Sequence, residues 1–331
     1  MEDTMSRTLL PISLFTALVG GTVLADVPRV AVDIAPVHSL VARVMDGVGT
    51  PDLIVRPGGS PHEYSLRPSE AEALQEADLV FWVSPDLTPW LDDAIVTLAT
   101  NALVTELLES DGTIELEMRE GALFENHAHI EGAQDEEHEG EHHENHTEDK
   151  HKEEEDGHDN HGAHDPHAWL SPQNAATWLN VIAGQLSAKD PENAGSYFAN
   201  AAAARAEIDY LVTNINSMLE PVRGGQFIVF HDAYQYFEKA FEFPASGAIS
   251  VSDASDPSPA RIAEIRERID VENIKCVLAE PQFNSGLVAT VMNGTKAKSG
   301  VIDPLGSDLI PGAGLYPQLM ENLALTLVEC L

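Results

Sequence analysis

The sequence predicts an α/β fold of two lobes, each with a parallel-rich sheet flanked by helices, joined by one long rigid helix. Strand-like and helical segments alternate from residue 29 to residue 100, and again from residue 226 onward. Alternation of this kind is typical of parallel sheets covered by helices. A continuous helical pattern separates the two halves, and the 331 residues are enough for two globular cores.

Six segments of the first half carry this alternation. Pro68 is typical of the first position of a helix, where the N–H that proline lacks would have no partner. Short apolar runs predict strands at 29–34, 52–55 and 78–83. Helical spacing of apolar residues predicts helices at 37–45, 68–76 and 89–100.

Helical patterns fill the middle of the chain. One helix is predicted from Ser171-Pro172 to about residue 189, and a second from Asp190 to about Leu219, where Pro221 follows. The second helix has roughly thirty residues, about 45 Å at 1.5 Å per residue. Beyond it we predict strands at 226–230, 248–251, 276–280 and 300–302, and helices at 234–241, 259–269, 285–296 and 316–328.

The first residues have the features of an export signal. Arg7 precedes an apolar run from Leu9 to Leu24, and Val23-Leu24-Ala25 fits a cleavage site before Asp26. A start at Met5 would give a cleaner signal, and a membrane anchor is disfavoured because the run is short. We therefore divide the chain into a signal peptide (1–25), an N-terminal lobe (26–189), a linking helix (190–222) and a C-terminal lobe (223–331).

Acidic residues are concentrated in one tract. The net charge of −37 disfavours nucleic acid and anionic membranes as partners, because like charges repel. Residues 125–165 hold sixteen Asp or Glu against Lys150 and Lys152. With almost no apolar residues, this tract is predicted to be a disordered loop within the N-terminal lobe.

The fourteen histidines are unevenly distributed, and eleven lie between His127 and His167. Histidine mixed with Asp and Glu is typical of weak, interchangeable binding of divalent metals, although such a tract can also be a plain solvated linker. We predict a weak metal antenna made of His138, His142, His143, His146, His151, His158, His161 and His164.

Three histidines have a different context. His62 lies in a Pro- and Gly-rich turn after a predicted strand, His231 follows the strand 226–230, and His167 is followed by aromatic and apolar residues. Ligands of open parallel sheets bind beyond the carboxyl ends of strands, so these imidazoles could converge in a cleft between the lobes and suit Zn²⁺. A single histidine in such a position is more often a hydrogen-bonded structural residue than a ligand, and His38 is assigned that role.

Cys276 begins a predicted strand and Cys330 ends the last predicted helix. They could be two separate buried thiols or one disulfide. Export favours the disulfide, which would connect the last helix to the C-terminal lobe.

Several stretches resemble the zinc-uptake solute-binding proteins of ATP-driven bacterial importers, the ZnuA-type members of a cluster that also serves manganese. The similarity covers nearly all of the chain after the signal. The matching stretches are Pro61-His62-Glu63-Tyr64-Ser65-Leu66-Arg67-Pro68-Ser69, Ala77-Asp78-Leu79-Val80-Phe81-Trp82-Val83, His167-Ala168-Trp169-Leu170-Ser171-Pro172, His231-Asp232-Ala233-Tyr234-Gln235-Tyr236-Phe237-Glu238, Ala279-Glu280-Pro281-Gln282-Phe283 and Ile302-Asp303-Pro304-Leu305-Gly306.

The resemblance implies a metal in the interlobe cleft, held by His62, His167 and His231, and a Cys276–Cys330 disulfide. Manganese-binding relatives carry a carboxylate where this chain has His231, so the imidazole there points to Zn²⁺. The implied function is high-affinity zinc capture in the periplasm and delivery to the membrane permease of an ABC importer. We expect a monomer.

The fourth ligand is open, because Pro61 stands where some zinc-binding relatives have Glu. Water, a histidine of the tract or Asp303 could fill that position, with Glu63 a weaker candidate. Glu280 and Asp232 are candidates for orienting the imidazoles. Competing functions are zinc buffering or adhesion without transport, manganese binding, and metal-dependent hydrolysis. The His-Glu-x-x-His string His138-Glu139-Gly140-Glu141-His142 lies in the tract predicted to be disordered rather than on a predicted helix, so we predict that the protein is not an enzyme.

Overall fold

The protein is described by a computed structural model that contains two four-stranded parallel sheets flanked by helices. It describes residues 27–119, 121, 124, 164–250, 257–283 and 285–331. The strands are β1 (Val30–Val32), β2 (Asp52–Leu53), β3 (Leu79–Trp82), β4 (Leu103–Glu106), β5 (Phe227–His231), β6 (Ala248–Ser250), β7 (Cys276–Ala279) and β8 (Lys298–Val301). Their order is β2-β1-β3-β4 in the N-terminal sheet and β6-β5-β7-β8 in the C-terminal sheet.

The helices cover both sheets. They are α1 (Ala35–Val44), α2 (Pro68–Glu76), α3 (Pro89–Leu98), α4 (Pro172–Lys189), α5 (Ala194–Leu219), α6 (Gln235–Phe241), α7 (Pro259–Val271), α8 (Ser285–Met292) and α9 (Leu315–Cys330). Proline begins α2, α3, α4 and α7, where its fixed φ suits the first turn. Ser171 caps α4, because its Oγ accepts the N–H of Asn174 at 3.2 Å.

The long helix is shorter than the predicted segment 190–222. Helix α5 has 26 residues, and 3-10 turns at 191–193 and 220–222 flank it. It packs against α4, α9 and α1 and so contacts helices of both halves of the chain. Its buried residues recur every three or four positions, as an amphipathic helix requires: Tyr197, Ala201, Ala204, Ile208, Leu211, Ile215 and Leu219.

Two further features of the fold differ from the sequence predictions. Strand β4 was missed because it is an edge strand with the exposed residues Leu103 and Val104, so no buried apolar run marks it. His164 and Asp165, assigned to the disordered loop, are part of the fold. Asp165 is buried, and His164 forms an antiparallel bridge with Glu117.

A Cys276–Cys330 disulfide joins the first residue of β7 to the last residue of α9, with the Cα atoms 5.6 Å apart. The disulfide alternative is therefore confirmed over separate thiols. The predicted signal peptide, 1–25, and the tract histidines before His164 lie outside the described residues. Among the described helices, none has the length and apolarity needed to cross a bilayer.

Candidate metal centre

His62, His167 and His231 come together between the two lobes. One ring nitrogen from each lies within 4.8 Å of the others. The ring centroids are 5.5 Å apart for His62 and His167, 5.3 Å for His167 and His231, and 6.4 Å for His62 and His231. Residues separated by up to 169 positions thus present three imidazoles to one point.

His231 lies at a switch point of the C-terminal sheet. The chain leaves β5 toward β6 and leaves β7 toward β8, so a crevice opens between the carboxyl ends of β5 and β7. His231 is the last residue of β5, and Glu280 directly follows β7. The Nδ1–H of His231 donates to Oε1 of Glu280 at 2.7 Å. A carboxylate only accepts, so this bond places the hydrogen on Nδ1 and makes Nε2 of His231 the acceptor nitrogen.

His167 has a carboxylate partner of its own. Its Nδ1–H donates to Oδ1 of Asp165 at 2.7 Å, and its backbone N–H donates to the same oxygen at 3.0 Å. Burial raises the pKa of Asp165, but the hydrogen bonds from His167 outweigh it and leave the pKa below its ordinary value. Nε2 of His167 is buried and has no hydrogen-bond partner in the described part of the chain. An orphaned buried acceptor of this kind suits a metal.

Asp165 was missed as a site residue because it was assigned to the disordered loop. Its position two residues before His167, separated from it only by Pro166, is the signal that could have identified it. The side chain of Gln235 also donates to Asp165, at 3.1 Å to Oδ2, and the hydroxyl of Tyr236 donates to its backbone oxygen at 3.0 Å. Both helix α6 and the imidazole of His167 therefore hold this carboxylate in place.

The third imidazole comes from a tight turn. Gly58 has a φ of +83°, which glycine adopts without strain. A Cβ on Gly59 would meet the ring of Tyr64 at 2.9 Å and the backbone oxygen of Arg56 at 3.2 Å. The indole N–H of Trp90 donates to the oxygen of Pro61 at 2.7 Å, immediately before His62. These contacts fix the backbone that presents the half-buried His62.

The imidazoles border a small cavity of about 20 Å³. Phe283 stacks on Phe230 at 4.4 Å and meets the ring of His231 edge-on at 5.3 Å. Trp169 forms another wall, and its indole N–H donates across the cleft to the oxygen of Pro304 at 2.8 Å. The lining residues are Ser60, Pro61, His62, His167, Trp169, His231, Glu280, Gln282, Phe283, Pro304 and Leu305.

Three other predicted carboxylates are not part of this cluster. Asp303 accepts the backbone N–H groups of Leu305 at 2.9 Å and Ser307 at 2.5 Å, which holds it in its own loop. Glu63 is exposed and does not line the cavity. Asp232 does not orient an imidazole but forms an ion pair with Arg119.

Arg119 connects the two lobes beside the site. Its guanidinium binds Asp232, and it also binds Glu238 at 2.9 and 3.0 Å. Burial raises the pKa values of both carboxyls, and the Arg119 charge opposes that rise. All three side chains are largely buried. This bridge holds the turn that follows His231.

His38 has the structural role predicted for it. It is buried on α1, its Nε2 lies 3.1 Å from the oxygen of Pro51, and it is not part of the histidine cluster. Burial lowers the pKa of His38, which favours its neutral form.

Comparisons with proteins of similar sequence identify one family. Residues 30–330 match the family model described as ZnuA, zinc-uptake complex component A periplasmic. The high-affinity zinc uptake system protein ZnuA of Brucella abortus (strain 2308) is 44% identical over 314 residues, covering 94% of each chain. The protein of that name from Paracoccus denitrificans (strain Pd 1222) is 42% identical over 308 residues, covering 93% of each chain.

Solved structures show the same fold. A crystal structure of ZnuA superposes with a TM-score of 0.71 at 22% identity, covering 92% of this chain and 99% of that one. The laminin-binding protein of Streptococcus agalactiae gives a TM-score of 0.68 at 21% identity, covering 91% and 99%. From the family match and the identities above, the chain belongs to the ZnuA family of periplasmic zinc-uptake components.

Proposed function

We propose that this protein captures Zn²⁺ in the periplasm and delivers it to the membrane permease of an ABC importer. The observation that carries the proposal is the convergence of His62, His167 and His231 in one interlobe cavity. Family membership supports the transport role, since close relatives are named for high-affinity zinc uptake. The chain is proposed to be a binding protein rather than an enzyme.

The donor set favours zinc over manganese. Imidazole nitrogen suits zinc, whereas manganese and magnesium prefer carboxylate and carbonyl oxygen. The two carboxylates nearest the cluster, Asp165 and Glu280, each accept an imidazole N–H. Three imidazoles leave one tetrahedral position open, and we assign it to water because Asp303 is bound within its own loop.

Asp165 and Glu280 preorganise the imidazoles of His167 and His231 for zinc binding. Each fixes the tautomer and the ring orientation of its histidine, so little ordering entropy remains to be lost on binding. The imidazoles must be neutral to bind metal, so acidification competes with zinc. Entry of the ion through a cleft between lobes allows release when the lobes separate at the permease.

Calorimetric titration of the full chain with Zn²⁺ tests the site. We expect the affinity for the tightly bound Zn²⁺ ion to fall by about 100- to 1000-fold in each of the variants His62→Ala, His167→Ala and His231→Ala. The reason is that all ligands of a zinc site together contribute about 10–16 kcal/mol. His161→Ala in the acidic tract is the matched control and should leave that affinity unchanged. Unchanged tight binding in all three variants would show that zinc binds elsewhere.

Growth of a deletion strain in zinc-starved medium tests delivery. The wild-type gene should restore growth and His231→Ala should not. Rescue by His231→Ala would show that growth does not depend on the three-histidine cleft, and it would favour buffering or adhesion over transport.

Mass spectrometry of the periplasmic form should find one chain per particle that begins at Asp26 and carries the disulfide.

A further inference from the structure

The wall of the cleft cavity contains a buried acceptor that the three-histidine cluster does not explain. Oε1 of Gln282 is buried and has no hydrogen-bond partner among the described residues. Gln282 lines the same cavity as His62, His167 and His231. Buried polar atoms of folded proteins nearly always have a partner, so an orphaned oxygen in the wall of a ligand cavity indicates a bound group that donates a hydrogen bond.

The other end of this amide fixes its orientation. Nε2 of Gln282 donates to Oδ1 of Asp303 at 3.2 Å and to Oγ of Ser307 at 3.0 Å. A carboxylate only accepts hydrogen bonds, so the amide atom that faces Asp303 must be the nitrogen and not the oxygen. Asp303 is itself held by the backbone N–H groups of Leu305 and Ser307. The amide oxygen of Gln282 therefore points away from the Asp303 carboxylate.

Gln282 belongs to the turn that packs against the ring of His231. Glu280, two residues earlier, accepts the Nδ1–H of His231, and Phe283, the next residue, meets that ring edge-on at 5.3 Å. The backbone N–H of Phe283 donates to the oxygen of Glu280 at 3.2 Å and closes the turn. One short segment thus supplies an orienting carboxylate, an aromatic wall and the orphaned acceptor.

The cavity has the size of one small ligand. Its volume of about 20 Å³ exceeds the roughly 10–15 Å³ that a single water molecule requires. A tetrahedral zinc ion bound by three imidazoles has one further coordination position, which the function proposed above assigns to water. Zinc makes the O–H groups of such a water molecule acidic, so in a buried site they need a hydrogen-bond acceptor.

We propose that Oε1 of Gln282 accepts a hydrogen bond from the water molecule that completes the coordination of zinc. This inference rests on the function proposed above and adds Gln282 to the residues that bind the cargo. An amide oxygen accepts a hydrogen bond without taking up the proton, so Gln282 holds the water molecule without acting as a general base. The same oxygen disfavours an anion at this position, because the negative end of the amide dipole repels it.

Azide binding to the cobalt-loaded protein tests the proposal, because Co²⁺ accepts the same nitrogen ligands as zinc and reports them through visible absorption. In Gln282→Leu the water molecule loses its acceptor and azide loses a repulsive neighbour. We therefore expect azide to bind about 10-fold more tightly than in the wild type. The affinity for Zn²⁺ should fall about 10-fold. Gln226→Leu is the matched control and should change neither affinity, because Gln226 is exposed and does not line the cavity.

A second variant separates the acceptor from the loop contacts. Gln282→Glu keeps an acceptor oxygen but loses the N–H groups that bind Asp303 and Ser307. We expect it to resist azide as the wild type does, whereas a role in holding the loop alone would make the two Gln282 variants alike. Equal azide affinity in Gln282→Leu and the wild type, or in Gln282→Leu and Gln282→Glu, would overturn the proposal.

A crystal structure of the zinc-loaded protein supplies the direct measurement. It should show a zinc-bound water molecule about 2.5–3.0 Å from Oε1 of Gln282. A fourth ligand from the protein, or a bound water molecule without a contact to Gln282, would contradict the proposal. Failure of the proposed function gives a different result, since His167→Ala would then keep tight zinc binding in the calorimetric titration.

Discussion

Each lobe has a buried carboxylate at the switch point of its sheet, on opposite sides of that point in the two lobes, and uses it differently. In the N-terminal lobe, Asp33 follows β1, and its two oxygens accept the backbone N–H groups of Ile34 and Val83, each at 2.7 Å. In the C-terminal lobe, Glu280 follows β7 and accepts the imidazole N–H of His231. Each carboxylate lies where neighbouring strands connect in opposite directions.

This difference shows how a carboxylate beside a switch point can serve either the fold or the candidate site. Asp33 is short and fully buried, and both of its oxygens accept backbone N–H groups. It therefore connects the end of β1 to the end of β3. Glu280 has one more methylene than Asp33 and accepts an imidazole N–H, so it orients the ring of His231. The N-terminal lobe supplies its imidazoles from loops instead, His62 after β2 and His167 before α4.

The largest expected effect concerns the disulfide of the C-terminal lobe. Replacing Cys276 and Cys330 by Ser should lower the free energy of unfolding by about 4 kcal/mol, because the unfolded chain gains the entropy of an open loop. Urea denaturation followed by far-UV circular dichroism measures the loss. Reduced wild-type protein should show the same midpoint as the double variant. A shift below about 1 kcal/mol would mean that the lobe does not depend on this bond.

Asp33→Asn should change stability in a pH-dependent way. Burial raises the pKa of Asp33 to about 7 from 3.8, although hydrogen bonds from Val83 and Ile34 lower it. Between these pH values the folded state binds more protons than the unfolded state, so this carboxyl makes the wild type less stable as pH rises. Relative to the variant, the zinc-free wild type should lose roughly 2–3 kcal/mol from about pH 5 to about pH 7.

Thermal unfolding of both proteins across that range measures the difference. A constant difference at every pH would mean that Asp33 titrates alike in the folded and unfolded chains. Zinc affinity should be the same in both proteins, which makes Asp33→Asn the matched control for the next variant.

Glu280→Gln should act on the ligand rather than on the fold. The amide oxygen still accepts the N–H of His231 but more weakly, so we expect zinc affinity to fall about 10-fold, the lower end of the 10- to 100-fold range for partners of metal ligands. Competition with a chelator of known affinity measures it. Equal zinc affinity in Glu280→Gln and Asp33→Asn would remove the contrast between the lobes.

Much of the fold was predictable because its signals are local. Prolines at helix starts and buried apolar strands mark most elements in the sequence, and the residues of β3 and β5 are all buried. Strand β4 was not predicted because an exposed edge strand lacks that signal. The ends of α5 were overestimated because 3-10 turns continue the helical residue pattern at both ends.

The residues of the candidate site also divide into those that local sequence signals predict and those that only tertiary packing reveals. His62, His167 and His231 stood out through their sequence context, and Glu280 was identifiable because it follows a strand. Asp165 was hidden in an acidic tract whose composition masks its pairing with Leu116. The pairing of Asp232 with Arg119 was also beyond prediction, because it joins residues 113 positions apart through tertiary packing.

The paired segments around Glu117 and His164 have a consequence for how the protein can vary. Because the fold fixes these two points next to each other, the chain between them closes a loop whose ends do not depend on its length. Loop closure entropy grows slowly, with each doubling costing about 0.6 kcal/mol. The histidine-rich tract can therefore be lengthened, shortened or exchanged at little cost to the stability of the rest of the molecule.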